Sequence, residues 1–133
     1  LRAMFKATTH GITVSVTPTF LEAQSDPDGG RWVWAYTIAI ENGGEDTVQL
    51  RSRHWRITDA RGHVEEVRGP GVVGEQPLLP PGDSFTYTSG CPLPTPSGFM
   101  EGAYRMERQD GTSFEVAVPA FSLDLPAETR VLN

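Results

Sequence analysis

The sequence predicts an all-β protein, an immunoglobulin or fibronectin III-like β-sandwich of two antiparallel sheets. Three observations carry this expectation. Seven or so short segments alternate apolar and polar residues, the period of a half-buried strand. Turn formers such as Asn42-Gly43-Gly44 and Asp110-Gly111 separate them at strand-length spacing. No stretch sustains a helical period, and Pro77, Pro80 and Pro81 exclude a helix where the chain is least patterned.

Taken in order, residues 11–17 place Ile12, Val14 and Val16 on one face of a strand that Pro18 is expected to stop. Gln24 to Gly30 is polar and turn-rich. Arg31 to Glu41 carries the strongest strand signal. Trp32, Trp34, Tyr36, Ile38 and Ile40 share one face, with small residues on the other, as in a central strand with its bulky face in the core. The next strand puts Val48 and Leu50 on even positions but Trp55 and Ile57 on odd ones. A bulge near Ser52-Arg53-His54 must reset its register. Asp59 to Gly62 fits a tight turn, and His63 to Val67 returns. Ser84 to Ser89 alternates again, with Phe85 and Tyr87 on one face. Cys91 to Pro96 carries three prolines and reads as a loop or edge. Met100–Arg108 and Ser113–Val118 form a hairpin, and Phe121–Leu125 ends the fold. The expected core includes Trp34, Tyr36, Ile38, Trp55, Ile57 and Tyr87.

At 133 residues the chain fits one domain, 1–133, with a core from roughly residue 10 to 126. No apolar run approaches the ~20 residues of a membrane helix, and the first residues lack a secretory signal's apolar core. Leu1 is not an initiator residue, so the start reads as trimmed or added. The single cysteine, Cys91, excludes an internal disulfide and suits a reducing compartment, so a cytoplasmic location is expected. The net charge of -6 disfavours nucleic acid as a partner, and no membrane partner is expected. Five arginines against three acids nevertheless make residues 51–74 positive by two, which leaves the rest of the chain at -8.

That positive stretch holds the candidate ligand site. Gly69-Pro70-Gly71-Val72-Val73-Gly74 matches G-x-G-x-x-G, but no βαβ unit surrounds it, so a dinucleotide fold is excluded. Local physics remains: glycines allow close backbone approach, and successive N–H groups can form a phosphate nest, although Pro70 removes one donor. The competing explanation is that these glycines only close a tight inter-strand connection. Arg53, His54, Arg56 and Arg68 are the expected companions, the arginines chosen by proximity and outward parity, since a guanidinium fork suits phosphate oxygens. The candidate anion site is therefore Arg53, His54, Arg56, Arg68, Gly69, Gly71, Val72, Val73 and Gly74.

Metal and catalytic sites are not expected. His10, His54, His63 and Cys91 show no zinc spacing, and Asp26 with Asp28 reads more simply as a turn. Glu65 and Glu66 are adjacent on a strand and face opposite ways, so they cannot act as a pair. No Ser-His-Asp or Cys-His cluster has supporting context, and no cofactor is called for. Cys91 is expected to be dispensable, Cys91→Ser changing stability little.

The order of Gln24-Ser25-Asp26-Pro27, Tyr36-Thr37-Ile38, Arg53-His54-Trp55, Gly71-Val72-Val73-Gly74-Glu75-Gln76-Pro77, Tyr87-Thr88-Ser89-Gly90 and Gly102-Ala103-Tyr104-Arg105-Met106 resembles the ApaG family over roughly residues 10–126. The resemblance implies a fibronectin III-like sandwich, usually a stand-alone bacterial cytoplasmic protein linked to cobalt and magnesium tolerance, with a gene beside that of a diadenosine tetraphosphatase. A similar domain sits in some eukaryotic F-box and polymerase-interacting proteins as a partner-binding module. The reading from sequence is thus a non-catalytic module that binds a partner protein or a phosphate-type anion. The alternative is an enzyme acting on nucleotide polyphosphates.

Overall fold

The computed structural model describes residues 3–126, so the domain bounds expected at residues 1 and 133 lie outside the described residues. The strands are β1 (Phe5–Thr9), β2 (Ile12–Phe20), β3 (Trp32–Asn42), β4 (Val48–Asp59), β5 (Val64–Pro70), β6 (Leu78–Leu79), β7 (Ser84–Leu93), β8 (Gly98–Arg108) and β9 (Ser113–Leu123). One sheet runs β1-β2-β3-β7 and the other β5-β4-β8-β9, with β6 paired to β4. All pairings are antiparallel, so the predicted two-sheet sandwich is the fold observed. Two short 3₁₀ turns, Glu22–Gln24 and Pro27–Gly29, are the only helical pieces among the described residues. None of their helices is long and apolar enough to cross a membrane.

The alternation read from β3 is what builds the first sheet. Trp34, Tyr36, Ile38 and Ile40 point inward and meet the inward Ile12, Val14 and Val16 of β2 and Tyr87, Cys91 and Leu93 of β7. In the second sheet the register resets between Leu50 and Ser52, where Arg51 is the extra residue on β4. Val48 and Leu50 then share the inner face with Trp55, as the broken parity required. Trp55 meets Tyr36, Tyr104 and Phe121, with ring centroids 5.5 to 6.3 Å apart. Such tilted and edge-on aromatic packing joins the two sheets.

Several boundaries differ from the sequence reading. β1 was not expected. It is five residues long, and its inward positions, Phe5, Ala7 and Thr9, are only half-buried. Pro18 does not stop β2, because β1 ends at the pair Phe5–Val16 and leaves that side of β2 free of a ladder. β7 runs on through Cys91 to Leu93, since Pro92 lies on an edge strand where its missing N–H costs no ladder bond. The segments on either side of Pro119 are one strand, β9, whose register shift against β8 falls at this proline. Five of the six expected core residues are buried. Ile57 is the exception, half-buried at the rim of an opening between the sheets.

That opening follows from the topology. β1 and β2 pack on β9 and close one side of the sandwich. On the other side the free edges are β5 and β7, and a cleft lies between them.

Candidate ligand-binding cleft

The cleft has a volume of about 440 Å³. Its apolar walls are Trp55, Ile57, Val67, Val72 and Met100, and its polar groups are Tyr36, Arg53, Glu65, Tyr87 and Ser89. Arg53 is on the inner face. It pairs with Gly69 on one side and with the buried Tyr104 on the other, so the bulge at Arg51 turns this cation inward with Trp55. The outward parity expected for it is corrected by this register.

The glycine-rich loop holds that guanidinium. Arg53 Nη1 donates to the carbonyl oxygens of Pro70 and Gly71, each at 2.9 Å. A Cβ on Gly69 would lie 3.0 to 3.2 Å from the guanidinium atoms, so glycine leaves the space the side chain occupies. Gly71 has φ +61, and a Cβ there would stand 2.2 Å from the Glu75 carbonyl oxygen. The N–H of Gly71 donates to Arg51 O, and those of Val72 and Glu75 exchange bonds with each other's carbonyls. Val73 (φ +43) and Gly74 (φ +80) form the two-residue turn between them, with the positive φ values of a type I′ hairpin. A β-branched residue in that region is strained, and Val73 is also exposed at the lip of the cleft. The loop therefore offers carbonyls to Arg53, and the N–H groups of Gly71 and Val72 are engaged within the backbone.

Arg53 Nη2 and Nε donate to no acceptor among the described residues, and no carboxylate there lies within ion-pair distance of this guanidinium. Its charge faces Tyr36, Tyr87 and Tyr104. Burial pushes all three phenols above their ordinary value, so they stay neutral. The Tyr87 and Tyr104 hydroxyls share a hydrogen bond, and the Ser89 hydroxyl meets that of Tyr36. Cys91 lies buried in β7 against the cleft, and burial, with help from the Glu65 charge, pushes its thiol up to about 12. A serine there would bury a hydroxyl in an apolar setting, so with Cys91 buried the expectation for Cys91→Ser becomes a loss of stability.

The remaining predicted residues lie elsewhere. His54, Arg56 and Arg68 are on the outer face of the second sheet. His54 Nε2 is 2.7 Å from Glu66 Oε1, and Arg68 Nη2 is 3.5 Å from the same oxygen. His54, Arg68 and Arg105 border a shallower depression of about 240 Å³, while Arg56 is exposed opposite Glu66 and Glu101. The structure thus brings Arg53, Val72, Val73 and Gly74 together at the cleft and leaves His54, Arg56 and Arg68 behind the sheet. Sequence reasoning missed Tyr36, Glu65, Tyr87 and Ser89 as cleft residues. Glu65 alone carried a signal, its alternation with Val67 on the strand returning beside Arg53; nothing local marked the three residues of the other sheet.

A family model described as the ApaG domain matches residues 22–108. The chain belongs to the ApaG domain family. Protein ApaG of Methylobacterium sp. (strain 4-46) is 63% identical over 130 residues, covering 98% of this chain and all of that one. Protein ApaG of Brucella anthropi is 62% identical over the same span. The crystal structure of the ApaA protein from Bordetella pertussis superposes with a TM-score of 0.86 at 52% identity, covering 92% of this chain and 98% of that one. These relatives are bacterial, and the ApaG match spans β3, β4, β5 and β7, the strands that build the cleft.

Proposed function

We propose that this ApaG-type chain is a binding module that holds an anionic group of its ligand, a partner protein's carboxylate or a phosphate-type group, on Arg53. The supporting observation is a preset guanidinium: the glycine loop fixes one nitrogen with two carbonyls and leaves the others free in a partly apolar cleft. A cation held this way loses little side-chain freedom on binding, and its fork geometry suits an oxyanion. Binding is favoured over catalysis by the character of the cleft's polar groups. Its phenols are held neutral, its thiol is protonated, and no three His, Cys, Asp or Glu gather as metal ligands among the described residues.

Titration with pyrophosphate tests this. The wild type is expected to bind, more weakly as salt rises, because the contact is electrostatic. Arg53→Ala is expected to lose tenfold or more in affinity, corresponding to about 1.5–3 kcal/mol for a charged hydrogen bond. Amide spectra of the variant check that its loop is intact. No binding to the wild type at millimolar pyrophosphate overturns the reading.

A further inference from the structure

The cleft is longer than one anion, and its two ends differ in charge. Arg53 pairs with Gly69, and Glu65 stands four residues back along β5, opposite Ile57. At ~3.3 Å per residue the two ends lie ~13 Å apart. Both side chains face the cleft: Glu65 and Gly69, four apart on β5, share a face, and Arg53 shares it as the cross-strand partner of Gly69. Like Arg53, Glu65 has no oppositely charged partner within ion-pair distance among the described residues. Its neighbour Glu66, on the outer face, meets both His54 and Arg68.

We propose that the cleft receives an extended peptide strand of a partner protein, an acidic side chain lying against Arg53 and a basic one, four residues away, against Glu65. This rests on the reading that Arg53 takes an anionic group, and it names that group's carrier. The unpaired edges of β5 and β7 flank the cleft, and a free edge is where a peptide adds as a strand. Side chains i and i+4 of an extended peptide share one face and span the same ~13 Å. Trp55 and Val67, paired midway between the charges, form an apolar wall for the residue at i+2. A polyphosphate fits less well, because it would place negative charge along a cleft ending in Glu65, on a protein of net charge -6.

The test uses the full chain, labelled with nitrogen-15, and two capped peptides, Glu-Val-Thr-Val-Lys and its reverse, Lys-Val-Thr-Val-Glu. One order is expected to shift the amides of Val67, Ser89, Gly90 and Cys91 at millimolar peptide. Glu65→Lys, an exposed change that leaves the loop alone, is expected to weaken that peptide about threefold or more. The same variant is expected to favour the peptide whose lysine is replaced by glutamate. The proposal is overturned if neither order moves those amides, or if Glu65→Lys leaves the preference unchanged. Equally, it is overturned if the amides shift with protein concentration alone, which would seat a second copy in the cleft. Pyrophosphate is titrated in parallel: Arg53-dependent binding without peptide binding sinks this inference and spares the anion reading, whereas failure of both sinks both.

Discussion

Cys91 is small, neutral and packed beneath β3, where it pairs with Trp34. With its thiol pushed up to about 12, it has almost no thiolate at neutral pH and behaves as an apolar side chain. Cys91→Ser is expected to lower unfolding free energy by about 1–2 kcal/mol, read from a urea titration, because the new hydroxyl exchanges water for an apolar wall. Cys91→Ala is expected to cost less than Cys91→Ser, since it buries no polar group. Arg53 carries the complementary lesson about legibility. Its odd parity with Trp55 and Ile57 was visible in the sequence, and its charge argued for the outside. The charge did not decide, because Gly69 leaves room for the guanidinium and two loop carbonyls receive it.

The bulge in β4 is the element on which the site depends. Were the same residues to run in strict alternation with no bulge at Arg51, the inner face of the strand would carry Val48 and Leu50 followed by Ser52, His54 and Arg56. Deleting Arg51 straightens the strand and leaves Val48, Leu50, Arg53, Trp55 and Ile57 on one face in regular alternation, so the fold is expected to survive, seen as retained amide dispersion. Arg51→Ala is expected to keep the fold and lose about 1 kcal/mol or less, since the side chain makes a half-exposed pair with Glu107 at 2.9 Å and an exposed hydrogen bond to Gln76 Oε1 at 3.2 Å. This bulge was legible because it separates two runs of large apolar residues of opposite parity. β1 was not legible: only its Phe5 marks the inward side, and the strand is five residues long. The prolines misled for a related reason. Whether Pro18 or Pro92 breaks a strand depends on which side of the strand is unpaired, and that is a property of the sheet.

At the scale of the whole molecule, the cleft arises because strands distant in sequence, β5 and β7, become the free edges on the same side of the sandwich. Local patterning gave no sign of which edges would lie together, so the loop was legible as special while the cavity beside it was not. The same gathering brings together all three tyrosines of the chain, Tyr36, Tyr87 and Tyr104, one from the first sheet's β3, one from β7 and one from β8. Burial raises each phenol above its ordinary value of 10.0. Below that pH the folded and unfolded chains both hold these protons, so the phenols do not make stability vary. Above it, the unfolded chain releases them and the folded chain does not, so stability falls as pH rises, by about 1.4 kcal/mol per pH unit for each phenol. Tyr87 and Tyr104, the two most strongly shifted, together contribute about 3 kcal/mol per unit, enough to unfold a domain of ordinary stability within a few units. An alkaline titration is therefore expected to show phenolate absorbance rising in one cooperative step, coincident with loss of near-ultraviolet circular dichroism. A gradual rise beginning near pH 10.0 in a protein that keeps its circular dichroism would mean that the phenols are open to water in the folded state. The cleft floor would then be wet, and Arg53 would be screened by solvent rather than set against buried, neutral hydroxyls.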